Sequence, residues 1–475
     1  MRNRNVQAES KPGRSAPLSR GLFRISLVAL GTAAVAVALV AGCESEVERL
    51  IRPAVAGSLT ILFSSDNQGV LVSCGCTSVP TGGLAKRQTI IDKYRRVRPN
   101  VLVVDAGNMF PDHPNALKVK YLAMILERAK YDAMGLGEQE FDMGVPKLQS
   151  MAGEYKLPFI CANVRDAAGN PVVPPHVVRQ TAGRRVGIFA VISDQAPPDA
   201  PSEWRKSLKV ESPIEAAKRE VHDLADCDLI VALSHQSRQR TEELAKQVPG
   251  IHVVVCGQDE APLRQPLKVG ETMIVATGPL GHVLGAVTYS LGAGGSPEVK
   301  MALSDLTAKV SDAGMVTDLY GKYIKQAKGE PPPEWAHLPV PVAYETAEDC
   351  AKCHEAEYKQ WSPTRHANAY ATLKKAGREQ DPECLLCHTM GYGREGGFNA
   401  IDTTPRLANV TCQACHIVTS KHGVKGASPE AKQDPHKFIN ARLCMTCHGL
   451  MESPHFDFYA YKAKIAHNAP KAEKK

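Results

Sequence analysis

Four times the chain carries two cysteines three positions apart with a histidine directly after the second. These are Cys350 and Cys353 before His354, Cys384 and Cys387 before His388, Cys412 and Cys415 before His416, and Cys444 and Cys447 before His448. Two thiols at that spacing can each add to one vinyl group of a porphyrin, and the adjacent imidazole then lies under the iron as its proximal ligand. The pattern predicts four covalently bound c-type haems. Zinc or disulfides would also use paired cysteines, but neither requires a histidine after every pair. Eight of the 14 cysteines and nine of the 16 histidines fall within residues 343–475, a stretch with few long apolar runs. The expectation is a mainly α region held together by stacked haems instead of an aliphatic core.

Haems packed this densely usually take a second histidine, which keeps the iron low-spin with little reorganisation on electron transfer. The candidates are His366, His422, His436, His455 and His467. Residues 343–470 resemble the tetrahaem cytochrome c family whose type member accepts electrons from hydroxylamine oxidoreductase. The resemblance is carried by Asp349–His354, Tyr358–Ala367, Asp381–Thr389 with Gly391–Gly393, Val410–His416, Ser420–His422, Cys444–His448, Ser453–Asp457 and Ile465–His467. It implies His366, His422 and His467 as distal ligands. It also implies one haem without a distal histidine, most like that of Cys384–His388, although His436 or His455 could fill the fourth place.

Upstream, residues 57–310 alternate short apolar runs with amphipathic stretches. Strands are expected at Leu59–Phe63, Val101–Val104, Phe159–Ala162, Val186–Ile192, Leu229–Leu233, His252–Val255 and Met273–Ala276. Helical patterns lie at Leu84–Arg96, Ala116–Lys130, Ile214–Leu224 and Thr241–Gln247, so the alternation predicts an α/β domain around a buried sheet. A hairpin is expected at His282–Leu291 and Val299–Leu306. Residues 311–342, a polar helix pattern running into Pro331-Pro332-Pro333, are expected to be a linker.

This α/β region resembles the periplasmic 5′-nucleotidase branch of the calcineurin-like metallophosphoesterases. The matching segments are Ile61–Gly69, Gly82–Arg87, Asn100–Asn108, Tyr131–Gly144, Leu233–His235 and Val253–Glu260. The resemblance implies a β-sandwich flanked by helices with a dinuclear metal site at the strand ends. By that match Asp66 and His235 occupy ligand positions. Gln68 stands in place of a histidine, Asn108 in place of the bridging Asp, Glu138 and Gln139 in place of Asn-His, and Gln258 and Glu260 in place of two histidines. Loss of the bridging carboxylate and four imidazoles removes the donors that clamp two metals. No non-haem metal is therefore expected, and the domain is read as a scaffold. A one-metal hydrolytic site of Asp66, His235, Glu138 and Glu260 is the weaker alternative. Cys74-Gly75-Cys76 follows the first strand: the two thiols are either a redox pair or are bridged structurally to Cys161, Cys227 or Cys256.

Lys plus Arg number 57 and Asp plus Glu 50, for a net charge of +7. The first 42 residues hold six of the cations against one acid, Glu9, which leaves +2 for the rest. With aromatics at 5% there is no basic, aromatic stripe for nucleic acid, and no such partner is expected. After that basic start, Ile25–Ala41 is free of charge and ends in Val40-Ala41-Gly42-Cys43. This is the layout of an export signal. Its end resembles the lipobox of bacterial lipoproteins, with residues 1–42 removed and Cys43 lipidated; an uncleaved anchor helix is the alternative. The expectation is an exported, lipid-anchored protein on the periplasmic face of the outer membrane or at the cell surface. It would carry electrons for redox partner proteins or a terminal acceptor, and so need not be an enzyme. A haem- or thiol-dependent oxidoreductase acting on a small substrate is the alternative.

Overall fold

The computed structural model describes residues 57–73, 81–111, 115–195, 203–291, 297–327, 343–416, 439–449, 453 and 455–467. The leader, Cys43, Cys74, Cys76, His422 and His436 lie outside them. Among the described residues no helix is long and apolar enough to cross a membrane.

Strand β1 (Leu59–Ser64) leads to α1 (Leu84–Val97), β2 (Val101–Asp105), α2 (Ala116–Ala129) and β3 (Ala133–Gly135). Helices α3 (Glu138–Asp142) and α4 (Val145–Glu154) precede β4 (Phe159–Ile160) and β5 (Val164–Arg165). Next come β6 (His176–Thr181), β7 (Arg184–Ile192), β8 (Lys209–Val210), α5 (Pro213–Asp223), β9 (Leu229–Ser237) and α6 (Arg238–Gln247). Strands β10 (Val253–Gln258), β11 (Leu267–Val269), β12 (Thr272–Ala276), β13 (Val283–Leu291) and β14 (Pro297–Asp305) follow, then α7 (Gly314–Gln326).

Twelve of the strands form two six-stranded sheets, ordered β14-β13-β1-β2-β3-β4 and β11-β12-β10-β9-β7-β6, and β5 and β8 pair as a third, two-stranded sheet. In the large sheets the central strands run parallel; antiparallel β13 and β14 close one edge of the first, whose other edge is the parallel β4, and antiparallel β11 and β6 close the two edges of the second. One core lies between the sheets, where Ile61, Phe63 and Val104 meet Ile188, Ala190, Val231, Leu233 and Val255. A second lies on the outer face of the second sheet, where Phe189, Val191, Ala232 and Val254 pack on Ala216, Ala217, Leu244 and Ala245 of the helices. Alternate residues of β7 serve the two cores. That is why Val186–Ile192 is unbroken in apolar character: a parallel strand covered on both faces has no solvent side to alternate with.

One boundary differs from expectation. Helix α7, assigned to the linker, packs on α1 and α2, with Val316, Leu319 and Tyr323 buried. Its approach is tied down where Lys86 donates to the Val310 carbonyl (2.9 Å) and to Asp312 (3.0 Å), and where Ala313 N–H donates to the Ala85 carbonyl. The three buried side chains sit at helical spacing and form an apolar stripe that the polar surroundings obscure.

The region from 343 to 467 is built from short helices. They are α8 (Ala347–Ala351), α9 (Glu355–Trp361), α10 (Ala369–Ala376), α11 (Pro382–His388), α12 (Ala441–Met445) and α13 (Phe458–Ile465). Contrary to the expectation of haem packing alone, part of it has a side-chain core: Tyr370, Leu373, Leu385, Leu386, Met390, Tyr392, Phe398 and Leu407 are buried together around α11. The loop Gly391–Phe398 folds back over α11 and supplies the aromatic half of that cluster, which single-segment periodicity does not reveal.

Candidate functional site

Each Cys-x-x-Cys-His segment closes into one helical turn. In the first, third and fourth, the second cysteine N–H donates to the carbonyl of the first at 3.2 Å and the histidine N–H to the same carbonyl at 2.9 Å. In the second the turn is part of α11, whose N-cap Asp381 accepts from Glu383 N–H at 3.1 Å. Thiols three residues apart on one helical turn share a face, as attachment to a single porphyrin requires.

The ring geometry also fits iron. With metal–nitrogen bonds of about 2 Å and roughly 1 Å from nitrogen to ring centre, two imidazoles on one metal stand about 6 Å apart. His366 faces His448 at 6.1 Å between ring centres, and His467 faces His416 at 6.0 Å. His388 points Nδ1 at the Ala369 carbonyl (2.7 Å); a carbonyl only accepts, so Nδ1 carries the proton and Nε2 keeps its lone pair. Gln360 donates its amide to the Ala466 carbonyl (2.8 Å), which turns its oxygen toward His467 Nδ1 (3.3 Å) and sets that ring in the same way. Burial pushes His366 and His448 below the ordinary histidine range, His366 further because His448 and His388 are near, and this favours the neutral, ligating form. His455 is exposed and takes no part in these pairs.

The attachment turns lie against one another in an order the chain does not follow. The thiols of Cys350 and Cys412 are within hydrogen-bond distance, so the first turn adjoins the third. Cys415 is near enough to Cys444 and Cys447 to feel their charge, which places the third turn near the fourth, and Cys387 Sγ lies 3.9 Å from the Thr446 carbonyl, joining fourth to second. The spatial order is first, third, fourth, second.

At the mouth of the sandwich, the loops after β1 and β2, the start of α3 and the end of β9 bring together Asp66, Gln68, Asn108, Glu138, Gln139 and His235, and β10 adds Gln258. Asp66, Gln68 and Asn108 all hold left-handed backbone (φ 48°, 51° and 54°), a conformation that costs about 1–3 kcal/mol each outside glycine. What these side chains now do is bind one another. The Asn108 and Gln68 amides donate to the two oxygens of Asp66 at 3.1 Å each, Gln139 N–H donates to Asn108 Oδ1, and the Gln258 amide meets His235 Nε2 at 3.1 Å. The Arg205 guanidinium grips Glu138 and the Ser193 carbonyl. Packing is close: a Cβ at Gly137 would stand 2.2 Å from Asn108 Oδ1 and 2.8 Å from His235 Nε2. Burial lifts Asp66 to about 6 and lowers His235 to about 4.

Amide donors on Asp66 and a guanidinium on Glu138 do not fit a two-metal centre, and the one-metal alternative loses Glu138 to Arg205 and Glu260 to the surface. Among the described residues no group of three or more His, Cys, Asp or Glu is placed to hold a metal ion. Cys161, Cys227 and Cys256 are free thiols, and Cys74 and Cys76, their possible partners, lie outside the described residues.

Two supporting residues were not found from sequence. Glu140 is fully buried and accepts four backbone N–H groups, from Gly137, Asn108, Met109 and Phe110, at 2.6–3.2 Å; burial nonetheless lifts it to about 7. Its one signal is its place three residues after the N-cap Gly137, where its carboxylate accepts the Gly137 N–H as the acidic half of a capping box does. Arg205 has no local signal; it reaches the site only through the fold.

Two six-stranded sheets with helices outside and these loops at one end make a metallophosphoesterase-like, or 5′-nucleotidase-like, α/β fold, followed by a helical region. The family model described as "Cytochrome c554 and c-prime" matches residues 349–417. Cytochrome c-554 of Nitrosomonas europaea is 31% identical over 94 residues, 17% of this chain and 40% of that protein. The 5′-nucleotidase of Rattus norvegicus is 28% identical over 292 residues, 56% of this chain; the chain spans 49% of that relative's length. The sulfate thiohydrolase SoxB of Thermus thermophilus shares the fold, with a TM-score of 0.50 at 18% identity over 61% of this chain and 63% of that one.

Proposed function

We propose that the chain is an exported, lipid-anchored electron carrier that holds four c-type haems behind a non-hydrolytic phosphoesterase-like domain. The observation that carries the reading is the pairing of His366 with His448 and of His467 with His416 at 6.1 and 6.0 Å, beside four Cys-x-x-Cys-His turns. Bound haem supplies one-electron chemistry at iron. The chain supplies thiols on one face of each turn, imidazoles on both sides of two positions, and oxygen acceptors at Ala369 and Gln360 that fix ring orientation. Contacts between turns favour a relay in the order first, third, fourth, second. The uncharged stretch ending at Cys43 supports export and lipidation, with redox proteins or a terminal acceptor as partners.

The test is a haem count on full-length protein exported from a host with cytochrome c maturation, with electron paramagnetic resonance of the oxidised form. Four haems per chain with low-spin signals are expected. Zinc in place of haem, or fewer than four haems, would sink the proposal. A high-spin signal near one quarter of the iron would replace the carrier by an oxidoreductase with one open site.

A further inference from the structure

The second attachment helix is held by the α/β domain as well as by the other haem turns. Tyr320 of α7 donates its hydroxyl to Asp381 Oδ2, the N-cap of α11. Arg378 lies over the Tyr320 ring (5.1 Å), approaches the same carboxylate (3.5 Å) and donates to the Ser73 carbonyl of the α/β domain at 2.9 Å. Lys118 of α2 pairs with Glu383 in the first turn of α11. Asp381 is buried, with its side chain 4% exposed, and it and Arg378 lie close enough to the Cys384 thiol to act on it electrostatically. A buried carboxylate near one candidate attachment sulfur is thus met by a guanidinium and by a phenol from the other domain.

We propose that Tyr320 is a positioning residue that sets the charge felt at the second haem, so the potential of that haem depends on the docked α/β domain. The inference rests on the reading of the four turns as haem sites. A carboxylate beside the attachment sulfur favours the more positive, oxidised iron, and each hydrogen bond it accepts spreads that charge and weakens the preference. Low local dielectric makes the effect large at Asp381 and small at an exposed acid. Helix α7 is packed on α1 and α2, so a shift of that helical layer moves the phenol and is registered at the second turn.

Potentiometric titration of the full-length, haem-loaded protein, followed by optical and paramagnetic resonance spectra, tests this. Tyr320→Phe keeps the ring under Arg378 and removes only the donor. It should lower one of the four potentials, raising the oxidised-to-reduced ratio of that haem about threefold to tenfold at fixed potential, tenfold being 59 mV for one electron. Asp381→Asn keeps an N-cap residue and removes the charge, and should raise the same potential. In the double variant, Tyr320→Phe should add less than it does alone. Four unchanged potentials in both single variants, or equal shifts in all four, would overturn the inference while leaving the haem count intact. If Tyr320→Phe fails to load haem, Asp381→Asn decides: a rise in one potential supports it and no change overturns it. A wild-type chain without four haems would instead defeat the reading beneath it.

Discussion

His235 is the buried imidazole at the mouth of the sandwich. Its Nδ1 lies 2.9 Å from the Ala106 carbonyl, and burial holds the imidazole down near 4 against an ordinary 6.5. The unfolded chain protonates this histidine as the pH falls through 6.5, whereas the folded chain does so only near 4. Its contribution to stability is therefore complete above 6.5 and is lost progressively on acidification to about 4. Asp66 works in the opposite sense: raised to about 6, it keeps a proton that the unfolded chain gives up near 3.8, so its contribution falls as the pH rises through that window. The difference between wild type and His235→Asn, which can still donate to Ala106, isolates the histidine. The stability of the variant relative to wild type should rise by about 3 kcal/mol between pH 6.5 and 4. Urea unfolding across that range measures it, and a difference independent of pH would mean that the folded imidazole titrates normally.

Among the elements, α7 is the one whose role changed most between sequence and structure. A solvated linker helix tolerates truncation of any side chain; a helix docked by Val316, Leu319 and Tyr323 does not. Leu319→Ala should lower the stability of the α/β domain by about 2–5 kcal/mol, read from thermal or urea unfolding followed by circular dichroism. A loss under about 0.5 kcal/mol would return the segment to the linker. The longer strands were readable because each carries enough apolar residues to show its period or its double burial. The three-residue β3 and five-residue α3 were not, since neither is long enough to display a period, and both owe their existence to β2, β4 and the Glu140 carboxylate.

At the scale of the whole molecule, one chain joins a two-sheet sandwich to a helical region that carries the Cys-x-x-Cys-His turns. The loops at the mouth of the sandwich hold left-handed backbone at Asp66, Gln68 and Asn108, and the point where they converge is closed by amides and Arg205. Phosphate release from AMP by the full-length protein should stay at background with Mg, Mn, Zn or Co added, because no shared carboxylate remains to clamp two ions. Turnover that requires one of those metals and disappears in His235→Ala would show that the site is still hydrolytic. The preserved domain instead meets the second attachment helix through Tyr320, Lys118 and Ser73.

The geometry of the Cys-x-x-Cys-His segments was legible in the sequence because it depends on spacing within five residues. Cys350 to His354 and its three repeats form one helical turn wherever they occur, and the turn itself puts both thiols on one face. The amides at Gln68, Asn108, Gln139 and Gln258 were legible too, since an amide cannot become a carboxylate or an imidazole through folding. Pairings between distant segments needed the tertiary structure. His366 with His448, His467 with His416, Arg205 with Glu138 and Tyr320 with Asp381 each join residues from 51 to 82 positions apart, as their numbers show. No local periodicity encodes such a partner; it is chosen by the packing of whole elements, which decides which side chains share the same few ångströms.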